Sequence, residues 1–248
     1  KDAVADLVNA IKSRLFSLPL SEWGAVVQAT RDAFVGKQLV VASTDADTEK
    51  LIAAVGWGGI VGPREGDTQM LVDANLASLK TDPKVSRAVT YEIFQNTSGQ
   101  YVGRTSVRYA HTGSFDWKTT RYRTYAQLYV PAGSELVRVT GAEGAAAAAE
   151  ELGLTAFGAF VVIEPGESKV LSFEYALADS VVRQIESGTY SLAFLKQVGA
   201  QDHELTLDLD FGKNVTSASV PEDANEWGDD AYRLHAKLSQ DLEYTVGL

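Results

Sequence analysis

The sequence contains no cysteine, one methionine and six prolines in 248 residues. Without cysteine there is no disulfide, no thiolate zinc or iron–sulfur ligation and no cysteine nucleophile. Positive charge is scarce: 22 Lys and Arg stand against 33 Asp and Glu, a net charge of −11. That balance excludes a generally basic nucleic-acid binder, because nothing global offsets phosphate repulsion. It suits a soluble protein that resists self-association. Long apolar runs are missing too. The longest, residues 156–163, covers about eight residues, where a membrane-spanning helix takes about twenty. There is no Walker glycine–lysine loop, no dinucleotide-binding glycine fingerprint and no Gly-x-Ser-x-Gly elbow. What remains is ordinary globular composition, 45% hydrophobic and 22% charged, which excludes disorder.

Ala3, Val4, Leu7, Val8, Ile11 and Leu15 recur at helical spacing from the first residues. The chain therefore opens inside a structured element, and we read it as a piece of a longer protein. The pattern predicts helices over 2–18, over 21–36 and from a Thr44 or Asp45 cap to about 55, where Gly56-Trp57-Gly58-Gly59 ends the run. Strands are expected at 38–42 and 68–72, giving one strand–helix–strand crossover as the remnant of an α/β unit. From about residue 84 the texture turns to alternation, with runs at 88–95, 101–110, 121–130, 135–140, 156–163, 169–177, 189–197 and 204–211. The five alanines Ala145–Ala149 predict a short helix. A terminal helix over 229–238 and a strand over 242–246 follow a polar linker. The expected fold class is α+β: N-terminal helices with a partial α/β unit (1–82), then an antiparallel, immunoglobulin-like β-sandwich of about eight strands (83–218). Residues 219–248 complete it as a linker, a short C-terminal helix and a strand. A barrel is the alternative closure.

His111, His203 and His235 fall at no metal-ligand spacing, so only a site assembled by folding would use them. Asp208 and Asp210 alternate with leucines, the pattern of a solvated strand face as well as of a paired-carboxylate site. Between Lys80 and Arg123 eight bases outnumber three acids. If the strand carrying Arg104 and Arg108 pairs with the one carrying Arg121 and Arg123, four guanidinium groups share a face. With Tyr125 or Tyr129 nearby, such a face can hold an anionic glycan or a polyphosphate head group. It can equally complement the acidic segment 199–230. The loop 111–120 carries Phe115 and Trp117, either as a sugar or partner contact or as an indole folded back on the sheet.

The order of several segments resembles that in a known family. Gln38-Leu39-Val40-Val41, Val55-Gly56-Trp57-Gly58-Gly59, Asp73-Ala74-Asn75-Leu76-Ala77-Ser78-Leu79-Lys80, the run from Tyr122 to Leu136, that from Phe157 to Ser168 and the stretch ending at Lys213 resemble the C-terminal half of a bacterial family, domain of unknown function family 4012. The resemblance implies an envelope protein with an N-terminal membrane helix and most of its mass outside the cytoplasm. It also implies an upstream portion distantly similar to the LytR-CpsA-Psr domain, which attaches glycopolymers to the cell wall from a lipid pyrophosphate donor. The residues that bind pyrophosphate and metal there would precede Lys1, so no catalytic residue carries over. Asn75 and Lys80 lie in the most recognisable stretch and are candidate binding residues, or else a local cap and a surface charge. The absence of cysteine fits an extracytoplasmic protein.

Three readings follow. The first is a non-catalytic extracytoplasmic module with a structural or interaction role, whose partners are other envelope proteins. The second is the distal part of a glycopolymer-handling transferase, with an anionic cell-wall polymer bound by Asn75, Lys80, Arg104, Arg108, Arg121 and Arg123. The third is an adhesion domain with calcium-binding acidic loops. None of the residues calls for a cofactor, a resident metal or a nucleic acid, and a membrane enters only through an upstream helix. One concave basic face favours the transferase reading; scattered ion pairs favour the structural one.

Overall fold

A computed structural model describes residues 2–248. The chain divides into two compact units, Lys1–Gly59 and Ile60–Leu248.

In the first unit α1 (Asp2–Phe16), a 3-10 turn (Leu20–Glu22), α2 (Trp23–Val35) and α3 (Ala46–Ala54) follow one another. Asp45 caps α3 by accepting from the Thr48 amide at 2.8 Å, satisfying one of the free donors of its first turn. The glycine-rich turn after α3 lets Trp57 stack on Phe34, with ring centroids 4.3 Å apart and planes 10° from parallel. Residues 38–42 form no strand; Val41 makes a single backbone bond to the Trp57 carbonyl. The expected strand–helix–strand crossover is therefore absent, because its second strand, 68–72, belongs to a sheet of the other unit. The apolar stripe of α1 (Val4, Leu7, Val8, Ile11) is exposed.

The second unit holds β1 (Asp67–Asn75), β2 (Val85–Gln95), β3 (Tyr101–His111), β4 (Tyr122–Pro131), β5 (Glu135–Thr140), β6 (Ala147–Glu151) and β7 (Leu154–Ile163). It continues with β8 (Ser168–Ala176), α4 (Asp179–Glu186), β9 (Thr189–Leu195), β10 (His203–Asp210), β11 (Ser217–Ala218), β12 (Ala231–Leu238) and β13 (Leu242–Gly247). One sheet has seven strands in the order β11-β13-β9-β1-β4-β7-β6, the other six in the order β12-β10-β2-β3-β8-β5. The fold is thus β-rich α+β with two large sheets. Alternation explains the layering, since every second side chain of a strand faces the same way. Val89, Tyr91 and Ile93 of β2, Val107 and Tyr109 of β3, Leu128 of β4, Phe157 of β7 and Leu205 and Leu207 of β10 meet in one buried core shared by both sheets. Each sheet contains one parallel pair, β1 with β9 and β2 with β10, so late strands are inserted beside early ones.

Two helix expectations are overturned. The alanine run forms edge strand β6, because Ala147 and Ala149 lie opposite Gly158 and Ala156 of β7 and the intervening Leu152-Gly153 turn has positive φ at both residues (56° and 74°). That is the conformation of a two-residue hairpin, and pairing outweighs alanine's intrinsic preference. The C-terminal helix is strand β12, paired with β10 along its whole length. The boundaries shift accordingly: β1 and the segment after 218 are both integral to the second unit, which begins at Ile60 rather than at 83. Because this unit contains all thirteen strands and both buried apolar clusters, a chain of residues 60–248 is expected to unfold cooperatively by itself. Denaturant titration followed by far-UV and near-UV dichroism checks it; non-coincident transitions would count against it.

Candidate functional site

The sequence-selected arginines are not brought together. Arg104 and Arg108 lie on β3 in the six-stranded sheet, whereas Arg121 immediately precedes β4 and Arg123 lies on it, in the seven-stranded sheet. β3 pairs with β2 and β8, and β4 with β1 and β7, so the shared guanidinium face does not form.

Arg104 instead belongs to a charge row across the outer face of its sheet. Strand register aligns Arg233, Asp208, Glu92, Arg104, Glu174 and Arg138 on six successive strands. Arg104 meets Glu174 at 2.8 Å and Glu92 at 3.6 Å, Arg138 meets Glu174 at 3.0 Å, and Arg233 meets Asp208 at 3.5 Å. The paired arginines hold the Glu174 carboxyl below its usual range. The next row is His235, Thr206, Thr90, Ser106, Ser172 and Thr140, in which His235 bonds Thr206 and Ser106 bonds Ser172. Asp210 accepts from the Gly212 amide, so the alternating acids are a solvated face. Arg108 is exposed on the same face.

The other candidates cluster at one end of the seven-stranded sheet. Asn75 accepts from the Ser78 amide at 2.9 Å, closing a turn in which Ala77 and Leu79 take positive φ. The Ser78 hydroxyl bonds the Arg123 backbone, and the Lys80 amide donates to the Lys118 carbonyl, so Asn75, Lys80 and Arg123 become neighbours through main chain rather than through their side chains. Arg121 is paired with Glu164 at 3.2 Å. In the adjoining loop Trp117 is 81% exposed; its indole does not fold back on the sheet, and Lys118 lies over it at 4.4 Å.

Two features of the molecule escaped the sequence reading. One is a pair of buried polar networks on the inward strand faces. The Asp67 carboxyl accepts from the hydroxyls of Tyr91 and Tyr190 and from Gln69, and burial pushes its pKa up. Nearer one end of the sheets, the Arg87 guanidinium donates to Asp73, to Asp82 at 2.7 Å, to the Tyr122 hydroxyl at 2.6 Å and to the Val85 carbonyl at 3.1 Å. Tyr109 and Thr124 complete the shell of Asp73. His203 faces this network from β10, and burial first, then the Arg87 charge, lowers its pKa to about 4. A recess of about 190 Å³ bounded by Asp73, Asn75, Asp82, Arg87 and residues 197–200 opens onto the cluster. The signal was parity: Arg87 shares the strand face of Val85, Val89 and Tyr91, and Asp67, Gln69 and Asp73 share that of Leu71.

The other feature is a groove on the outer face of the seven-stranded sheet. It has a volume of about 460 Å³ and is lined by Leu76, Ala77, Arg123, Glu143, Phe160, Val161 and Val162. Phe160 is braced by Tyr125, ring centroids 4.7 Å apart. Tyr125 in turn lies across Gly158, where a β-carbon would come within 2.1 Å of its hydroxyl. Glu143 turns to Lys169 at 2.5 Å. Among the described residues Arg123 has no carboxylate partner. No group of three or more metal-ligating side chains occurs among the described residues.

No protein-family model matches the chain, and no curated protein does. Among solved structures, a candidate nutrient-binding protein from Legionella pneumophila superposes with a TM-score of 0.43 at 10% identity, over 73% of this chain and 71% of its own. Leukotriene A4 hydrolase from Saccharomyces cerevisiae gives 0.32 at 10% identity, this chain covering 30% of it. An M1 zinc metallopeptidase from Deinococcus radiodurans gives 0.28 at 8% identity, with 43% of it covered. Such low scores carry nothing about what this chain binds or catalyses.

Proposed function

We propose that this protein is a non-catalytic extracytoplasmic module of a bacterial cell-envelope protein, with a structural or interaction role. The observation that carries this reading is where its cations go. Arg104, Arg138 and Arg233 are spent in ion pairs along one row of the six-stranded sheet, Arg121 pairs with Glu164 outside the strands, Arg87 is locked in its buried network, and Arg108 and Arg123, without an ion pair among the described residues, lie on different sheets. That distribution is the scattered one expected of a structural module, whereas a polyphosphate or glycopolymer site calls for converging free cations. The resemblance to domain of unknown function family 4012 supports the location and an anchor upstream. We read the two sheets as an immunoglobulin-like sandwich in the broad sense, enlarged beyond eight strands by β1, β6 and β11 to β13 and carrying one parallel pair in each sheet. Its partners in this reading are other envelope proteins.

Protease added to intact cells that make the natural full-length protein tests the location. Cleavage in the exposed turn 223–230 without lysis is the expected result, because such a turn is the kind of site proteases nick. Cleavage only after the cells are broken would overturn it.

A further inference from the structure

The groove beside β4 and β7 combines apolar walls with one unmatched cation. Leu76, Ala77, Phe160 and Val162 offer it hydrocarbon; Arg123 offers a planar guanidinium at its side. In a chain with an excess of eleven negative charges, that guanidinium has no carboxylate partner among the described residues, although Glu143 lines the same groove. Glu143 is engaged by Lys169, whose ammonium pulls its carboxyl pKa down. The groove therefore presents a hydrophobic floor, an exposed aromatic ring and a fork-shaped donor pair suited to a carboxylate. A sugar would need several polar groups along its ring, and the walls supply almost none. The cavity size falls within the range that takes small organic ligands.

From this juxtaposition we propose that the groove binds a small apolar carboxylate, its hydrocarbon body against Phe160 and Val162 and its carboxylate on Arg123. A free acid fits better than a peptide terminus. Peptides that dock on sheets draw main-chain hydrogen bonds from an open strand edge; here β4 is paired on both sides by β1 and β7, and the outer edge of β7 is covered by β6 over Leu154–Gly158 and at Phe160 by the Glu143 amide, which donates to the Phe160 carbonyl at 2.7 Å. Tyr125 has a supporting role: it leans on Phe160 from the Gly158 position and fixes the ring that the ligand would cover. The proposal rests on the interaction reading above but not on the location, since binding is measured on the isolated chain.

The experiment titrates the 248-residue chain with 4-phenylbutyrate and octanoate, and with their amides, using calorimetry and amide chemical shifts. Each acid is expected to bind about tenfold more tightly than its amide, the value of one charge-assisted contact of about 1.4 kcal/mol. Shifts should centre on residues 76–77, 123 and 160–162. Arg123→Gln should erase the preference for acid over amide, Phe160→Ala should weaken acid and amide alike by roughly fivefold, and Arg183→Gln on α4 should change neither. Equal affinity for acid and amide, shifts that map elsewhere, or an unchanged preference in Arg123→Gln overturns the proposal. So does binding confined to N-acetylated peptide acids, which would make the groove a peptide-docking face. Both substitutions lie at exposed or half-exposed side chains, and an unchanged dichroism spectrum separates loss of binding from loss of fold.

Discussion

Replacing Arg87 with methionine is expected to destabilise the protein by about 3–5 kcal/mol, the cost of removing one partner from a buried ion pair. For a domain of this size that corresponds to a fall in Tm of roughly 6–20 °C. The reason lies in what remains behind. The Arg87 side chain is 4% exposed and that of Asp73 5%, and the guanidinium donates to Asp73, Asp82, Tyr122 and the Val85 carbonyl. Its neighbourhood raises its already high pKa, so it never gives up the charge. Methionine fills the space but leaves the Asp73 carboxylate in a low-dielectric site with only Tyr109 and Thr124 to solvate it. Rings of Tyr109 and Tyr122 also lose the cation beside them, at 5.8 and 5.3 Å.

The contrast with a surface pair makes the prediction discriminating. Arg121 meets Glu164 at 3.2 Å, but both side chains are substantially exposed. Arg121→Gln is therefore expected to change stability by less than about 1 kcal/mol. Chemical denaturation of both variants, with the slope compared to that of the parent, checks the pair of values. Equal effects would mean that the Arg87 cluster is solvated in the folded protein and does not act as a buried network. A double variant, Arg87→Met with Asp73→Asn, should recover part of the loss, because the uncompensated carboxylate is what makes the single change severe.

The same residues show how far the sequence could be read. The run 101–110 placed the strand correctly, and its alternation of Thr105, Val107 and Tyr109 against Arg104, Ser106 and Arg108 marks both faces, because burial of every second residue is a local property. Arg87 carried an equally local signal by standing on the apolar face of β2. Parity does not name the partner, however, and Asp73 and Asp82 arrive from other parts of the chain. β12 was legible in the period-two series Tyr232, Leu234, Ala236 and Leu238, but Leu234 and Leu238 also fit a helix, and only pairing with β10 decides between the two. For Ala145–Ala149 local propensity pointed the wrong way outright. The split of the arginines between two sheets was beyond local reading, since it depends on β3 and β4 being joined by a loop that crosses between sheets and not by a hairpin. The groove at Arg123 depends on the same non-local step: Phe160, Ala77 and Arg123 meet only after β1, β4 and β7 are in register.

His203 is expected to make stability fall steeply as pH drops below neutrality. Its pKa is lowered from 6.5 to about 4 in the folded protein, by burial above all and then by the charge of Arg87. The unfolded chain therefore takes up a proton at a higher pH than the folded one. Between pH 6.5 and about 4 the folded state loses about 3 kcal/mol relative to the unfolded state, and below that both are protonated and the slope ends. Asp67 works in the opposite direction. Burial raises its pKa, so the folded state holds that proton longer, and its contribution weakens the fold as pH rises through the carboxylate range. The two effects are separable by substitution. Both act above about pH 4 with opposite sign: His203→Leu should remove the loss of stability on going from pH 6.5 down to about 4, and Asp67→Asn should remove the opposing slope that begins at the ordinary carboxylate value and runs upward. Urea midpoints measured at half-unit intervals from pH 4 to 8 give both slopes. A His203→Leu variant with the parental slope would show that the imidazole titrates at its ordinary value, and that burial and the Arg87 charge do not hold it neutral.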